Sequence, residues 1–229
     1  MSVPAYLQIA IDGPAASGKT TVAHALARRL AILYLDTGAM YRTLAFLAIH
    51  SRTDADNEGA LSRLWRTSNV AITLDEAAPL GFRIVAGGVE LKERELQSNE
   101  VSAIVSTVAA HAEIRETMVE SQRAIAARGA VVMCGRDIGT VVLPFAQVKI
   151  FLTASVAARV ERRRLQLLAA GVDVSAHRLA EEIEERDRLD RSRTVSPLEA
   201  AADCHVLDSS EIDAEAVVGE IASIVKRYL

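Results

Sequence analysis

Residues 6–30 read YLQIAIDGPAASGKTTVAHALARRL, and this stretch decides the fold. Residues 6–13 alternate apolar side chains and end in glycine, which predicts a β-strand, whereas residues 20–30 have helical spacing. The segment between them, GPAASGKT from Gly13 to Thr20, matches the pattern G-x-x-x-x-G-K-[ST]. Glycines and small residues here let the backbone wrap a phosphate without clashes at Cβ. The stretch therefore predicts a phosphate loop that binds a nucleoside triphosphate.

Each part of this loop has an expected role. The backbone N–H groups of the turn and of the helix N-terminus point at the anion, Lys19 bridges the β- and γ-phosphates, and Thr20 ligates Mg²⁺. A plain glycine turn before a helix is the alternative interpretation. A GTPase, a motor ATPase and a small-molecule kinase share the loop, although the sequence has no N-K-x-D guanine-reading motif. The residues expected to bind ATP are Gly13, Pro14, Ala15, Ala16, Ser17, Gly18, Lys19, Thr20 and Thr21.

Further apolar runs outside this stretch predict the rest of an α/β fold. The segments AILYLDTG, AVVMCG, VKIFLTA and CHVLDSS have the character of buried strands. Each run except the last is followed by a helical pattern with arginines, and the last by EIDAEAVVGEIASIVKRYL. Strands that alternate with helices indicate a parallel sheet covered on both faces, with ligands at the carboxyl ends of the strands. We expect a five-stranded core formed by residues 6–36, 129–154 and 203–229.

Residues 66–98 interrupt this alternation. The segments NVAITLD and GFRIVAGGVEL are β-like, with a turn and no helix between them. This pattern predicts a small antiparallel insertion.

The composition limits the classes of function. A length of 229 residues favours one domain with insertions, or one large and one small lobe. The net charge of −4 argues against general nucleic-acid binding. Its cations are 22 arginines and 4 lysines, which fits either a genomic preference or bidentate binding of phosphates. Cys134 and Cys204 lie far apart without metal-ligand spacing, and a reducing cytosol fits them. Neither a signal peptide nor a transmembrane helix is expected.

Charged residues appear within two predicted apolar helix faces. From residue 178, one face starts apolar and becomes ionic, which indicates either a helix end in water or the wall of a cleft. A second face contains one arginine, which either snorkels to solvent or faces a cleft. The first face comprises Leu179, Ile183, Arg186, Asp190 and Arg193. The second, if its helix is continuous, comprises Val101, Val105, Val108, Ala112, Arg115 and Val119.

The segment AVVMCGRDIGT, residues 130–140, adds an arginine and an aspartate at the end of a core strand. Together with the two interrupted faces, Arg136 and Asp137 favour a convergent cationic cleft that binds a second anion beside the triphosphate. The combination predicts phosphoryl transfer onto a phosphorylated acceptor.

These residues resemble the bacterial cytidylate (CMP) kinases, a family of P-loop nucleoside monophosphate kinases. The similar segments run in family order over most of the chain. The resemblance implies a P-loop core with a five-stranded parallel sheet, a monophosphate-binding lobe at residues 37–128 that carries the β insertion, and a lid at residues 155–175. The segments are IDGPAASGKTT, YLDTGAMYR, VSTVAAHAEIRETMVESQR, GRDIGTVVLPFAQVKIFLTAS, ARVERRRLQL and EERDRLDRSRTVSPLEAAADCHVLDSS.

The resemblance also implies the roles of individual residues. Arg42 and Arg136 would hold the CMP phosphate, and the lid residues Arg159 and Arg163 would grip the transferring phosphates. The residues implied around the cytosine are Thr37, Arg115, Asp137 and Arg193, and those around the pentose are Ser106, Arg186 and Asp190. The catalytic set is Lys19, Arg136, Arg159, Arg163 and Arg186, and the metal set is Thr20 with Asp36.

The implied reaction is the Mg²⁺-dependent transfer of the ATP γ-phosphoryl group to CMP, and also to dCMP. A kinase of another or broader set of pyrimidine monophosphates, accepting UMP as well as CMP, is the main alternative. A nucleotide-binding module that has lost catalysis is a further one. The resemblance favours a monomer in the cytoplasm that acts on small molecules, without a nucleic-acid or membrane partner.

Three positions depart from the family pattern. Cys134 stands where an acidic residue is usual, and Gln97 stands where an arginine is common. A neutral thiol is a poor ligand for Mg²⁺, so either Asp36 carries the metal-orienting role or Mg²⁺ is held more weakly. We expect Asp36 to carry this role in an active enzyme that needs more Mg²⁺. Thr37 replaces the commoner serine and keeps the hydroxyl group.

Overall fold

The five apolar runs form one parallel sheet in a computed structural model of the chain, which describes residues 3–75, 78, 81–169 and 171–229. The strands lie in the order β2-β6-β1-β7-β8. In chain order the strands are β1 Gln8–Asp12, β2 Leu33–Asp36, β3 Ala71–Leu74, β4 Phe82–Ala86, β5 Val89–Leu91, β6 Val131–Gly135, β7 Val148–Thr153 and β8 His205–Asp208.

Helices flank this sheet. The α-helices are α1 Lys19–Leu30, α2 Thr37–Ser51, α3 Glu58–Thr67, α4 Glu93–Leu96, α5 Asn99–Val108, α6 Ala112–Ala126, α7 Val156–Ala169, α8 Ala176–Arg191 and α9 Ala214–Val225. A π-helical turn forms at Ile138–Val142 and a 3₁₀ turn at Lys226–Tyr228. Helix α1 contacts β6 and α9, and α7 packs against α8. No helix in the described ranges is long and apolar enough to cross a membrane.

The register of the central strands brings their carboxyl ends to one edge. Asp12 lies opposite Gly135 in the pairing of β1 with β6, and Asp36 lies opposite Cys134 in the pairing of β2 with β6. All residues of β6 are buried, as expected for a strand covered on both faces. The carboxylates of Asp12 and Asp36 therefore lie where β1 and β2 end, beside the end of β6.

The antiparallel insertion is confirmed. Strands β3, β4 and β5 form a separate sheet in which Ile72 lies opposite Ile84. The second predicted segment supplies two strands, because Gly87 and Gly88 turn the chain with φ angles of 57° and 83°. The turn predicted between the two segments falls on residues 76–80, most of which lie outside the described residues.

The condition of a continuous helix over the EVS segment is not met. Helix α5 ends at Val108, and α6 begins at Ala112 after His111, whose backbone is extended with φ −69° and ψ 129°. Ala112 is exposed, so the predicted apolar face is interrupted there, although Arg115 and Val119 are buried. The break leaves the carbonyl oxygen of Ala109 free of the helical pattern, and Nη1 of Arg115 donates to it at 2.9 Å.

A second difference concerns the connection from β6 to β7. The sequence pattern predicts a helix with arginines after AVVMCG, whereas the chain forms only the short π-helical turn. The carbonyl oxygen of Asp137 accepts from the N–H groups of Val141 and Val142, at 2.8 and 3.1 Å. This wide turn keeps Arg136 and Asp137 at the edge of the sheet.

Candidate active site

The phosphate loop joins β1 to α1 as predicted. Gly13 has a φ of 150°, and a Cβ atom built on it would lie 2.0 Å from the carbonyl oxygen of Leu152, so only glycine fits. Gly18 has a φ of 91° and forms the N-cap of α1. Ala16 also adopts a left-handed conformation, with a φ of 57°. All nine residues expected at ATP, from Gly13 to Thr21, lie in this turn and at the start of the helix.

Lys19 is buried, and its side chain contacts residues of its own loop. Its Nζ donates to the carbonyl oxygen of Pro14 at 2.6 Å and to Oγ of Ser17 at 3.3 Å. Burial and then the charge of Arg136 lower the pKa of Lys19 to about 7. Added negative charge, such as that of a phosphate, would therefore favour the cation of Lys19.

Asp36 links the phosphate loop to helix α2. Its carboxylate caps this helix by accepting from the N–H of Gly38 at 2.9 Å, and it pairs with Nη2 of Arg42 at 2.7 Å. Oγ1 of Thr20 lies 3.5 Å from Oδ2 of Asp36. The described residues contain no group of three or more His, Cys, Asp or Glu side chains that could hold a metal alone. The oxygens of Thr20 and Asp36 nevertheless suit Mg²⁺, which binds few protein ligands when phosphates supply the others.

Cys134 ends its strand as a neutral side chain. Its Sγ lies 3.7 Å from the hydroxyl of Tyr34, and its carbonyl oxygen accepts from Oγ1 of Thr37 at 2.9 Å. Burial and then the charge of Asp36 raise the pKa of Cys134 to about 12. The thiol therefore adds no charge beside Asp36.

Asp12 is a buried site residue that sequence reasoning missed. Its Oδ1 and Oδ2 accept from the N–H groups of Ile138 and Gly139 at 2.8 and 2.7 Å. Burial raises the pKa of Asp12 to about 6 although both hydrogen bonds favour the anion. The carboxylate at the end of β1 thus holds the turn that carries Asp137. Its place directly before Gly13 is the only signal that the sequence offers.

Arg115 and Asp137 form a buried ion pair. Nη2 of Arg115 donates to Oδ2 of Asp137 at 2.6 Å, and the guanidinium lies over the ring of Tyr41, 5.3 Å from its centroid. Burial opposes the charge of Arg115, but Asp137 and Tyr41 outweigh it, so the pKa of this arginine is raised. The buried arginine that interrupts the second apolar face therefore has a partner and does not snorkel to water.

A second ionic group surrounds Asp190 on α8. Its Oδ2 accepts from Nε of Arg136 at 2.7 Å, and its Oδ1 accepts from Nη2 of Arg193 at 2.5 Å. Burial opposes the charge of Asp190, but Arg136 and Arg193 hold its pKa below the ordinary value. Arg193 lies beyond the end of α8 at Arg191, so it is not on the predicted helix face, although its guanidinium reaches the same carboxylate. The cleft-wall interpretation fits this arrangement.

Three arginines lie close enough to Arg186 to disfavour its charge. Burial and then Arg136, with smaller contributions from Arg42 and Arg163, lower the pKa of Arg186 to about 10 against the opposing effect of Asp190. The buried Nε atoms of Arg42 and Arg186 have no hydrogen-bond partner within the part of the chain that the structure describes. We call Arg42, Arg136, Arg163 and Arg186 the arginine cluster.

The other predicted lid arginine, Arg159, is engaged differently. Its Nη1 donates to Oδ2 of Asp187 at 2.5 Å and to the carbonyl oxygen of Ala15 at 3.2 Å. Arg162, absent from the predicted set, donates to the carbonyl oxygens of Ser17 and Ser209. Helix α7 therefore donates hydrogen bonds to backbone carbonyl oxygens of the phosphate loop.

Ser106 lies half-buried on α5, which contacts α8. The candidate site thus collects residues of the phosphate loop, α2, α5, α6, the β6 edge, α7 and α8. A phosphate loop at a strand–helix junction that faces clustered arginines across the edge of a parallel sheet defines a P-loop kinase.

Comparisons with known proteins narrow this class. The model of the cytidylate kinase family matches residues 9–227, and the chain belongs to that family. It is 47% identical over 220 residues to the cytidylate kinase of Pelotomaculum thermopropionicum, covering 96% of each chain. It is 47% identical over 219 residues to that of Bacillus cereus, again covering 96% of each.

A solved structure supports the fold. The crystal structure of an uncharacterized protein from Eubacterium ventriosum aligns with a TM-score of 0.51 at 13% identity, covering 97% of this chain and 99% of that one. At this identity the likeness concerns the fold alone.

Proposed function

We propose that the chain transfers the γ-phosphoryl group of ATP to CMP and dCMP, giving ADP and CDP or dCDP. Membership of the cytidylate kinase family supports the acceptor. The observation that carries the proposal is the arginine cluster, whose member Arg136 also lowers the pKa of Lys19. Cations that disfavour one another without a ligand gain stability when phosphates of donor and acceptor lie between them.

In the proposed reaction, an anionic oxygen of the CMP phosphate attacks the γ-phosphorus, and the bond from this phosphorus to the β–γ bridging oxygen breaks. The acceptor is already anionic, so the enzyme needs no strong general base. It needs alignment of the two phosphates and neutralisation of their charge. Arg42 and Arg136 would hold the acceptor phosphate, while Lys19, Arg163 and Arg186 would neutralise charge on the transferring group.

Recognition of cytosine would fall to Arg115 and Asp137, with Thr37 and Arg193 beside them. Cytosine presents an amino group at N4 and acceptors at N3 and O2, which suit a carboxylate and a guanidinium, respectively. Uracil presents a carbonyl oxygen at C4, which would face the Asp137 carboxylate. A repelled or unpaired buried polar group costs about 1–3 kcal/mol, which corresponds to about tenfold to a hundredfold in binding.

The pentose would contact Ser106, Arg186 and Asp190. Since Arg136 and Arg193 fix both oxygens of Asp190, this carboxylate has a defined orientation before a sugar binds. Thr20 and Asp36 would hold Mg²⁺, which when bound neutralises phosphate charge.

We assign residues 37–128 to the monophosphate-binding lobe and residues 155–175 to the lid of a monomeric cytoplasmic enzyme. Closing of these two parts would exclude water, which otherwise accepts the phosphoryl group and hydrolyses ATP.

A substrate panel tests the proposal. ADP release from ATP and Mg²⁺ is measured with CMP, dCMP, UMP and AMP as acceptors. We expect turnover with CMP and dCMP, and kcat/KM at least about tenfold lower with UMP. Equal rates for UMP and CMP would contradict the role of Asp137 and favour a broader pyrimidine kinase. ADP release that does not depend on any acceptor would contradict the kinase assignment.

A further inference from the structure

Asp187 is a buried carboxylate that the proposed reaction does not use. It follows Arg186 on α8 but points to another side of the helix, because successive residues are about 100° apart. Its Oδ1 accepts from the N–H of Ala15 at 3.2 Å, and its Oδ2 accepts from Nη1 of Arg159 at 2.5 Å. Asp187 and Arg159 are 6% and 5% exposed, so both charges are withdrawn from water.

Asp187 and Arg159 bind the phosphate loop on the two sides of one residue, Ala15. The N–H of Ala15 donates to Asp187, and the carbonyl oxygen of Ala15 accepts from Arg159 at 3.2 Å. The next residue, Ala16, has a φ of 57°, a conformation that side-chain-bearing residues adopt only when their surroundings fix it. The two contacts therefore orient the peptide groups that lead into this left-handed residue.

These hydrogen bonds also connect two parts of the candidate site, helix α8 and the phosphate loop. Helix α8 carries Arg186 and Asp190 towards the proposed acceptor, while the loop leads to Lys19 at the proposed donor. Nε of Arg159 donates to the carbonyl oxygen of Ala154 at 3.1 Å, which ties the arginine to the residue after β7. A displacement of α8 would thus change the Ala15 peptide directly.

We propose that Asp187 is a positioning residue that couples α8 to the phosphate loop, holding Ala15 directly and also through Arg159. Arg159 then acts on the donor phosphates through the loop backbone, and Arg163 of the arginine cluster acts on them directly. The inference rests on the proposed function in one respect, that ATP is the nucleotide bound by the loop.

The test compares two variants of Asp187 with a control. Asp187→Ala removes both contacts, whereas Asp187→Asn keeps an oxygen for the Ala15 N–H and loses both the charge and the acceptor beside Arg159. Glu185→Gln is the control, because it removes an exposed carboxylate of the same helix, 2.6 Å from Nη2 of Arg188. The dissociation constant of ATP is measured by calorimetry without acceptor, and KM for CMP is measured separately.

We expect Asp187→Ala to raise the ATP dissociation constant about tenfold and Asp187→Asn about threefold, as for loss of hydrogen bonds to a charged group. KM for CMP should change by less than about twofold, and Glu185→Gln should leave both constants within about twofold. An ATP constant within twofold of wild type in either folded Asp187 variant would overturn the proposal, even if the variant melts at a lower temperature. If Asp187→Ala does not fold, the ATP dissociation constant of Asp187→Asn alone decides whether the proposal holds.

A double-mutant cycle separates coupling from independent phosphate binding by Arg159. If Arg159 acts with Asp187, the loss of ATP affinity in the double Ala variant should match that of the larger single loss. Additive losses would overturn the coupling. A wild-type chain that binds ATP but does not phosphorylate CMP would refute the proposed function and leave this comparison valid, whereas failure to bind ATP would refute both.

Discussion

The proposed donor and acceptor sides of the site are built in opposite ways. The donor side is one run of residues, Gly13–Thr20, that surrounds an anion with backbone and has a single buried cation, Lys19. The acceptor side draws its charges from α2, α6, the β6 edge and α8, and arranges them as ion pairs before any ligand binds. Arg115 pairs with Asp137, and Arg136 pairs with Asp190.

This contrast separates the tasks of the two sides. Backbone N–H groups recognise a phosphate without regard to the nucleoside. Side-chain pairs with fixed orientation distinguish one base from another, because a wrong partner leaves a buried charge or donor unmatched. Changes on the donor side should therefore affect the rate with every acceptor, whereas changes on the acceptor side should alter the choice among acceptors.

The largest effect is expected on the donor side, from Lys19→Met. Loss of the cation at the transferring phosphate should lower kcat by about 10³-fold with CMP and with dCMP alike. Steady-state kinetics measure this change. Lys149→Met is the matched control, because its buried Nζ pairs with Asp203 at 2.8 Å, outside the candidate site. A fall in kcat with only one of the two acceptors would contradict the proposed difference between the donor and acceptor sides.

The second-largest effect is expected from a substitution on the acceptor side. Asp137→Asn should lower kcat/KM for CMP about 10- to 100-fold and raise the ratio of UMP to CMP use, because an amide can donate to the carbonyl oxygen of uracil. Competition of the two acceptors in one assay gives this ratio. Asp203→Asn, at an ion pair outside the candidate site, should leave it unchanged. An equal loss with both acceptors would mean that Asp137 only supports the fold.

A smaller effect is expected where the two sides meet at Cys134. Cys134→Asp adds a carboxylate opposite Asp36 and should lower the Mg²⁺ concentration for half-maximal rate about two- to fivefold. A Mg²⁺ titration at saturating ATP and CMP measures this, with Cys204→Ser as control. An unchanged Mg²⁺ dependence would refute the idea that the thiol weakens the metal site.

The smallest effect is a change in protonation on the donor side. Because burial and Arg136 lower the pKa of Lys19 to about 7, most of this lysine is neutral at pH 8 without a ligand. A bound triphosphate raises the pKa, so ATP binding at pH 8 should take up about one proton and weaken as pH rises above 7. Calorimetry in buffers of different ionisation enthalpy measures the uptake. Proton uptake that persists in Lys19→Met would exclude this lysine as its source.

The same contrast explains how much the sequence predicts. The phosphate loop and the five strands are local patterns of apolar spacing and glycine, and the structure has them where the sequence predicts. The sequence pattern places Arg115, Arg136 and Asp137 in a cationic cleft, but only the resemblance to a family gives them individual roles. Arg115 and Asp137 are 22 positions apart in the chain, so the pattern alone does not pair them. Their pairing depends on the fold that brings α6 to the β6 edge.

Other features had no sequence signal of sufficient strength. Asp187 lies in the charged run EERDRLDR, where it is indistinguishable from its exposed neighbours, yet it is buried by contact with Ala15. The sequence pattern does not indicate the break between α5 and α6, because the residues around it, VAAHAE, suit a helix interior. Tertiary contacts such as that of Arg115 with Ala109 decide the break, and single-sequence patterns do not report them.

The carboxylate of Asp12 has a further consequence for the span between the two substrates. The strand that leads into the donor loop also binds, through Asp12, the turn that follows Arg136 and Asp137. In the proposed reaction, strand register and these two hydrogen bonds at the sheet edge would therefore set the span between donor and acceptor. Substitution of the side chains on α2 and α6 that would contact the base would then change the choice of base without changing that span.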